Sequence, residues 1–204
     1  IGTCGQVLCC QKYLREFEEA KTILIPENRM FMTGGKKADD GKNIKGIRTI
    51  PDALLIKYDP QMKTPIKVYL IEYECYGATK TKSNEKAKYL NSTIIPQLMR
   101  FASGFSTTTD YETRNKTIDD WIEKIEKYIT PNSNADVKIK SWMKELNNGI
   151  EDSRSFTNFQ KNLKKAFQEN ISVILIIDEL TREQKETINN IINAFKLDDG
   201  TSIS

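Results

Sequence analysis

The sequence predicts an α/β protein in which a central sheet is flanked by helices. Two apolar stretches over 50–57 and 67–75 are joined by a proline-containing reversal, and a third, β-branched stretch covers 171–178. Elsewhere, apolar residues recur at helical spacing. With 204 residues, of which 38% are hydrophobic, the chain can bury an ordinary core.

The N-terminal region is predicted to contain a helix, a strand and a basic loop. Apolar residues recur at helical spacing over 6–24, residues 28–33 favour a short strand, and residues 34–49 form a polar loop rich in lysine. Such a loop can contact phosphates if it lies beside a catalytic site, or it can be solvated and disordered.

The two central strands are predicted to form a hairpin. Proline is tolerated at the start of the first strand, over 50–57, and prolines also mark the reversal that leads into the second, over 67–75. If the reversal is centred near Met62, Asp52 lies opposite Glu72 in the sheet.

A long helix follows the hairpin. Ser83 or Asn84 is expected to cap it, it extends to about Phe105, and Pro96 is expected to kink it. The polar, threonine-rich residues 106–115 then predict a linker.

The C-terminal half is predicted to be mainly helical, with one buried strand. Amphipathic segments over 116–168 predict a helical insertion, whose aromatic residues we expect in a core rather than stacked on bases. The run over 171–178 is typical of a central strand covered on both faces, and a capping box over 181–184 opens the last helix. We interpret residues 1–204 as one domain that carries this insertion.

Composition excludes several kinds of site. The chain has no histidine, which excludes Ser-His-Asp and Cys-His catalysis and every metal site that uses histidine. Its four cysteines lack the spacing of a zinc site, and Gly34-Gly35 lacks that of a nucleotide-binding loop. The longest apolar run is too short to span a bilayer, and the net charge of +3 permits nucleic-acid binding without requiring it. These observations predict a cytoplasmic protein with neither membrane contact nor a nucleotide cofactor.

Two glutamates emerge side by side at the end of the second hairpin strand. Side chains alternate along a strand, so Glu72 and Glu74 share one face, and Asp52 is expected to join them at the same end of the sheet. Three carboxylates this close raise one another's pKa unless a cation neutralises them, and oxygen ligands suit Mg²⁺, Mn²⁺ or Ca²⁺. From the residues alone, the two glutamates can equally begin a solvated strand end.

Pro51-Asp52, a hairpin and then Glu72-Tyr73-Glu74 together resemble the core motif of the PD-(D/E)XK nuclease superfamily. The resemblance implies a restriction-endonuclease-like αβββαβ core with a mixed central sheet, to which the helical insertion is added. It implies Asp52, Glu72 and Glu74 as catalytic residues. It also implies a Mg²⁺ or Mn²⁺ ion held by these acids and by the Tyr73 backbone carbonyl. The superfamily usually has lysine where this chain has Glu74, so the motif here is the E-x-E variant, in which the second glutamate serves as an added ligand or as a base.

Basic and polar residues around the motif are expected to bind nucleic acid. Lys80 or Lys82 can supply the ammonium that the motif lacks, and Gln97 resembles a residue that the family often places on the helix after the motif strand. The residues expected to contact DNA are Lys36, Lys37, Lys80, Lys82, Gln97 and Arg100.

These features lead to two competing hypotheses. The first is a metal-dependent nuclease that hydrolyses phosphodiester bonds, a DNA endonuclease of the restriction, defence or repair type, for which a homodimer is one compatible assembly. The second is a catalytically inactive nuclease-fold domain that binds DNA or serves in assembly, which the missing motif lysine favours. An unrelated α/β protein that binds a small molecule is a third interpretation.

Overall fold

The structure, a computed structural model, describes residues 17–26, 50–76, 82–104, 111–150, 153–169, 171–177 and 179–194. These residues form a mixed sheet with helices, so the protein is α/β, as predicted. The strands, in the order in which they lie side by side, are β1 (Thr22–Ile25), β2 (Ala53–Tyr58), β3 (Ile66–Glu74) and β4 (Ile171–Ile177). β1 and β2 pair antiparallel, as do β2 and β3, whereas β4 is parallel to β3.

After the hairpin the helices follow the predicted order, whereas residues 6–16 of the first predicted helix lie outside the described residues. The helical elements are a 3₁₀ turn (Glu19–Lys21), α1 (Ser83–Tyr89), a π turn (Leu90–Ile94), α2 (Ile95–Gly104), α3 (Tyr111–Ile129), α4 (Ser133–Leu146), α5 (Ser155–Glu169) and α6 (Arg182–Ala194). In these ranges no helix has both the length and the apolar character needed to cross a membrane. The capping box that opens α6 is confirmed, because Thr181 N–H donates to Gln184 Oε1 at 2.9 Å and Gln184 N–H donates to Thr181 Oγ1 at 3.3 Å.

The helix after the hairpin is interrupted by the π turn, which lies just before Pro96. Proline has no N–H, and its ring clashes with the carbonyl four residues earlier, so a wider turn before it relieves the conflict. The structure thus shows a π turn just before the proline at which the sequence predicts a kink. At the other end, Lys82 occupies the capping position that the sequence assigns to Ser83 or Asn84.

The first strand replaces the end of a predicted helix. Residues Thr22–Ile25 fall within the helix expected over 6–24, but they pair with β2. A threonine and two isoleucines in this stretch have branched β-carbons, which favours a strand. The strand expected over 28–33 and the basic loop over 34–49 lie outside the described residues.

Two further predictions differ from the structure. Residues 111–115, expected to be a linker, form the start of α3, where an ion pair of 2.6 Å between Glu112 and Lys116 supports the helix. The strand β4, expected at the centre of the sheet, lies at an edge of the part that the structure describes. Its apolar run reflects the side-chain clusters against both of its faces rather than a central position.

Helices α3, α4 and α5 form the larger core against one face of the sheet. The sheet contributes Leu54, Ile56, Val68 and Leu70 to this face, and Trp121, Trp142, Phe159 and Phe167 of the helices are buried against them. The prediction that the insertion's aromatic residues form a core is therefore confirmed. Beyond Leu70, the same face of β3 continues to Glu72 and Glu74. These two residues lie beside a second hydrophobic cluster, which is built mainly by the π turn, α2, α6 and the end of β4.

Candidate functional site

The hairpin register places Asp52 and Glu72 at the same end of the sheet. Ala53 pairs with Ile71, so one residue beyond this last pair Asp52 lies opposite Glu72. This is the register expected for a reversal centred near Met62. The sheet therefore brings together two acids that are twenty residues apart in the sequence.

Tyr73 connects the two strand ends. Its N–H donates a hydrogen bond of 2.9 Å to Asp52 Oδ2, which fixes the carboxylate of Asp52. The N–H and C=O groups of one strand residue point to the same side of the strand. The Tyr73 carbonyl, implied as a metal ligand by the family motif, is therefore directed toward the β2 side, where Asp52 lies.

Glu72 is buried at the end of a series of apolar residues. Its side chain follows Val68 and Leu70 on the same face of β3, and the residue is only 2% exposed. Gln97 of α2 donates from Nε2 to Glu72 Oε2 at 2.6 Å, whereas Glu72 Oε1 receives no hydrogen bond. A buried carboxyl oxygen without any partner is destabilising, so this oxygen needs a donor, a proton that it can donate to Asp52, or a cation.

The pKa of Glu72 is raised from its ordinary value of 4.5 to about 9. Burial is the largest cause, followed by the negative charges of Asp52 and Glu74 and by a hydrogen bond to Asp52. At neutral pH, Glu72 in this arrangement is therefore protonated and can share its proton with Asp52. A cation beside the two carboxyls would favour the ionised form instead.

The raised pKa of Glu72 predicts that the metal-free protein loses stability as the pH rises. The folded state holds the Glu72 proton up to pH about 9, whereas the unfolded chain releases it near pH 4.5, so the folded state binds more protons between these values. The free energy of unfolding should fall across this window by at most about 1.4 kcal/mol per pH unit. Urea denaturation in EDTA at pH 5, 7 and 9 measures this fall.

The variant Glu72→Gln isolates the contribution of Glu72. Its side chain cannot ionise, so its free energy of unfolding should depend less on pH than that of the wild type. The control Glu183→Gln removes an exposed carboxylate at the start of α6 and should leave the slope of the wild type. Parallel slopes for wild type and Glu72→Gln would contradict a raised pKa at Glu72.

Glu74, at the position of the motif lysine, is held by a tyrosine of α1. The Tyr89 hydroxyl donates to Glu74 Oε2 at 2.7 Å. This hydrogen bond is the main cause that raises the pKa of Tyr89 to about 12, so the hydroxyl stays protonated at physiological pH. Sequence reasoning missed Tyr89, because no motif links it to Glu74. The available signal was its place on the helix already expected to face the motif strand.

The structure describes three of the six residues that are expected to contact nucleic acid. Lys82 is exposed immediately before α1, and Arg100 is exposed on α2, where its Nε donates to the Pro96 carbonyl at 3.2 Å. Gln97 is half-buried and faces Glu72, as the family resemblance implies. Three predicted contacts lie outside the described residues: Lys36, Lys37 and Lys80.

The chemistry of the donors suits a divalent cation. Asp52, Glu72 and Glu74 offer only oxygen ligands, which Mg²⁺ and Mn²⁺ prefer, and Glu72 Oε1 is a buried acceptor without a donor. In the ranges given above, however, no three acidic or cysteine side chains lie close enough together to enclose an ion as they stand. The structure provides the pair Asp52 and Glu72, with Glu74 close enough for its charge to affect Glu72. The three-acid ion site stays a prediction.

Comparison with protein-family models, curated proteins and solved structures gives no match to this chain. The resemblance to the PD-(D/E)XK superfamily thus depends on Asp52, on Glu72-Tyr73-Glu74 and on the order of the elements.

Proposed function

We propose that this chain is a metal-dependent nuclease that hydrolyses phosphodiester bonds in DNA. The observation that carries the proposal is the buried Glu72 carboxyl, which has one oxygen without a donor and lies opposite Asp52 at the end of the hairpin. Replacing buried charged groups by apolar residues is often neutral or stabilising. A pair of acids in this position is therefore better explained by a cation that both bind than by a contribution to folding.

Each acid has a separate role in this proposal. Asp52 and Glu72 hold Mg²⁺ or Mn²⁺, with the Tyr73 carbonyl as a further ligand, while Gln97 keeps the Glu72 carboxyl in place through Oε2. When bound, such an ion lowers the pKa of the attacking water and stabilises the charge that develops on the phosphate. Glu74 is the proton acceptor for that water or an additional ligand, in place of the motif lysine.

DNA is the proposed substrate because exposed cations lie on the helical segment that supplies donors to the site. Lys82 precedes α1, and Arg100 lies one turn beyond Gln97 on α2. Both helices belong to the continuous segment that supplies donors to Glu72 and Glu74. Contacts of lysine and arginine with phosphates position a duplex without reading its sequence, so we propose no sequence specificity from them.

Cleavage of a supercoiled plasmid by the purified full chain tests the proposal. We expect nicked and linear products with Mg²⁺ or Mn²⁺ and none in EDTA. A gel-shift assay with the same DNA is run in parallel. Retention of DNA without cleavage in either metal would contradict the nuclease and favour the inactive DNA-binding domain. An absence of both activities would favour an unrelated α/β protein.

The second candidate is a catalytically inactive DNA-binding domain, because Glu74 occupies the position of the motif lysine. Glu74 brings a third negative charge to the site, and its Oε2 is already bound by the Tyr89 hydroxyl. An ammonium at that position would instead lower the repulsion between Asp52 and Glu72. The plasmid assay separates the two candidates directly.

A further inference from the structure

The two glutamates of β3 are held in the same way by donors from the helix that packs beside them. Gln97 Nε2 donates to Glu72 Oε2 at 2.6 Å, and Tyr89 Oη donates to Glu74 Oε2 at 2.7 Å. In each carboxyl, one oxygen is thus fixed by the helix. The other oxygen, Oε1, can serve a cation or a water.

The π turn explains how one helix reaches both glutamates. Tyr89 and Gln97 are eight residues apart, and in a regular α-helix such residues differ by about 80° around the axis. A π turn takes up about one residue more than an α turn, so Leu90–Ile94 brings the two positions to within about 20° of each other. Glu72 and Glu74 lie on one face of β3, and the π turn aligns the two donors with that face.

Tyr89 packs against an aromatic neighbour, Tyr76, which Lys86 contacts in turn. Its ring packs edge-on against that of Tyr76, which is 2% exposed, with 6.1 Å between the ring centres. Lys86, one turn before Tyr89, lies 5.5 Å from the centre of the Tyr76 ring and forms an ion pair with Glu179. The phenol is therefore placed before any ligand arrives.

We propose that Tyr89 is a positioning residue for the metal site: it holds Glu74 by one oxygen and presents the other toward the ion bound by Asp52 and Glu72. This inference rests on the proposed function. Partners that orient a metal ligand in this way affect metal affinity although they do not touch the ion. In this proposal the hydrogen bond from Tyr89 keeps the Glu74 carboxylate beside the metal site, whereas without it the carboxylate would be free to turn toward solvent.

The test is the affinity of the full chain for Mn²⁺, measured by isothermal titration calorimetry without DNA. Tyr89→Phe removes only the hydroxyl and should weaken Mn²⁺ binding by about tenfold or more. The matched control Tyr111→Phe removes an exposed hydroxyl from α3 and should bind Mn²⁺ as the wild type does. In a Glu74→Gln background, the effect of Tyr89→Phe should fall below about twofold, because the group that Tyr89 positions is gone.

The outcomes separate this inference from the proposed function. If the wild type binds Mn²⁺ and Tyr89→Phe binds it equally well, or if Tyr89→Phe has the same effect with and without Glu74, the positioning role is wrong and the metal site stands. If the wild type does not bind Mn²⁺, both proposals fail. Thermal unfolding in EDTA should give the same midpoint for Tyr89→Phe and Tyr111→Phe within about 3 °C, which excludes a general loss of folding as the cause.

Discussion

Replacing Asp52 by Asn or Glu72 by Gln is expected to abolish DNA cleavage without unfolding the protein. Both changes keep the shape of the side chain and remove the charge that a divalent ion needs, and Asn at position 52 still offers an acceptor to Tyr73 N–H. A bound ion contributes several kcal/mol to stabilisation of the transition state, so the cleavage rate should fall by roughly 10³-fold or more. Single-turnover cleavage of a labelled duplex in Mn²⁺ measures this loss.

Glu72→Gln should at the same time stabilise the metal-free protein at neutral and alkaline pH. The amide removes a carboxyl whose ionisation the buried site opposes, while Gln97 can still contact its oxygen. This combination of lower activity and higher stability is typical of a functional group in a strained environment. A Glu72→Gln variant that cleaves DNA at the wild-type rate would exclude Glu72 from the chemistry, and one less stable than the wild type at pH 9 would contradict its raised pKa.

Replacing Phe167 by Ala is expected to destabilise the whole domain by about 3–5 kcal/mol. Phe167 of α5 is fully buried and packs edge-on against Trp121 of α3, with 5.9 Å between the ring centres. The cavity would open in the cluster that also contains Leu54 and Val68 of the sheet. Urea denaturation followed by circular dichroism at a pH near neutrality gives the change in free energy of unfolding.

The matched control for the Phe167 variant is Val137→Ala, because Val137 of α4 is 63% exposed. Its free energy of unfolding should stay within about 0.5 kcal/mol of the wild type. A loss below about 1 kcal/mol for Phe167→Ala would mean that α3–α5 do not share the core of the sheet. Two separate unfolding transitions would lead to the same conclusion.

The parts of the fold that the sequence predicts correctly are those in which local chemistry and tertiary packing agree. The reversal between residues 58 and 66 determines the register that sets Asp52 opposite Glu72, and the Thr181–Gln184 capping box depends on contacts within one turn. The incorrect assignments depend on packing instead. Helical spacing of apolar residues extends into Thr22–Ile25, but pairing with β2 makes this stretch a strand.

In the candidate site, too, the features set by local structure could be predicted and those set by tertiary packing could not. Alternation along β3 predicts that Glu72 and Glu74 share a face, because side-chain direction in a strand is a local property. The hydroxyl of Tyr89 could not be predicted, since its contact with Glu74 depends on the packing of a helix against the strand and on the phase of that helix. Gln97 was found only through the family resemblance, for the same reason.

The π turn has a consequence for comparing this chain with others. Where a helix carries two side chains that must reach the same strand, the number of residues between them matters more than their identity. Loss of one residue from Leu90–Ile94 would allow regular α-helical winding, and the two donors, then seven residues apart, would still lie within about 20° of each other. Chains that use the same pair of donors should therefore have them eight residues apart where the helix contains a π turn and seven apart where it is regular, whatever the intervening residues are.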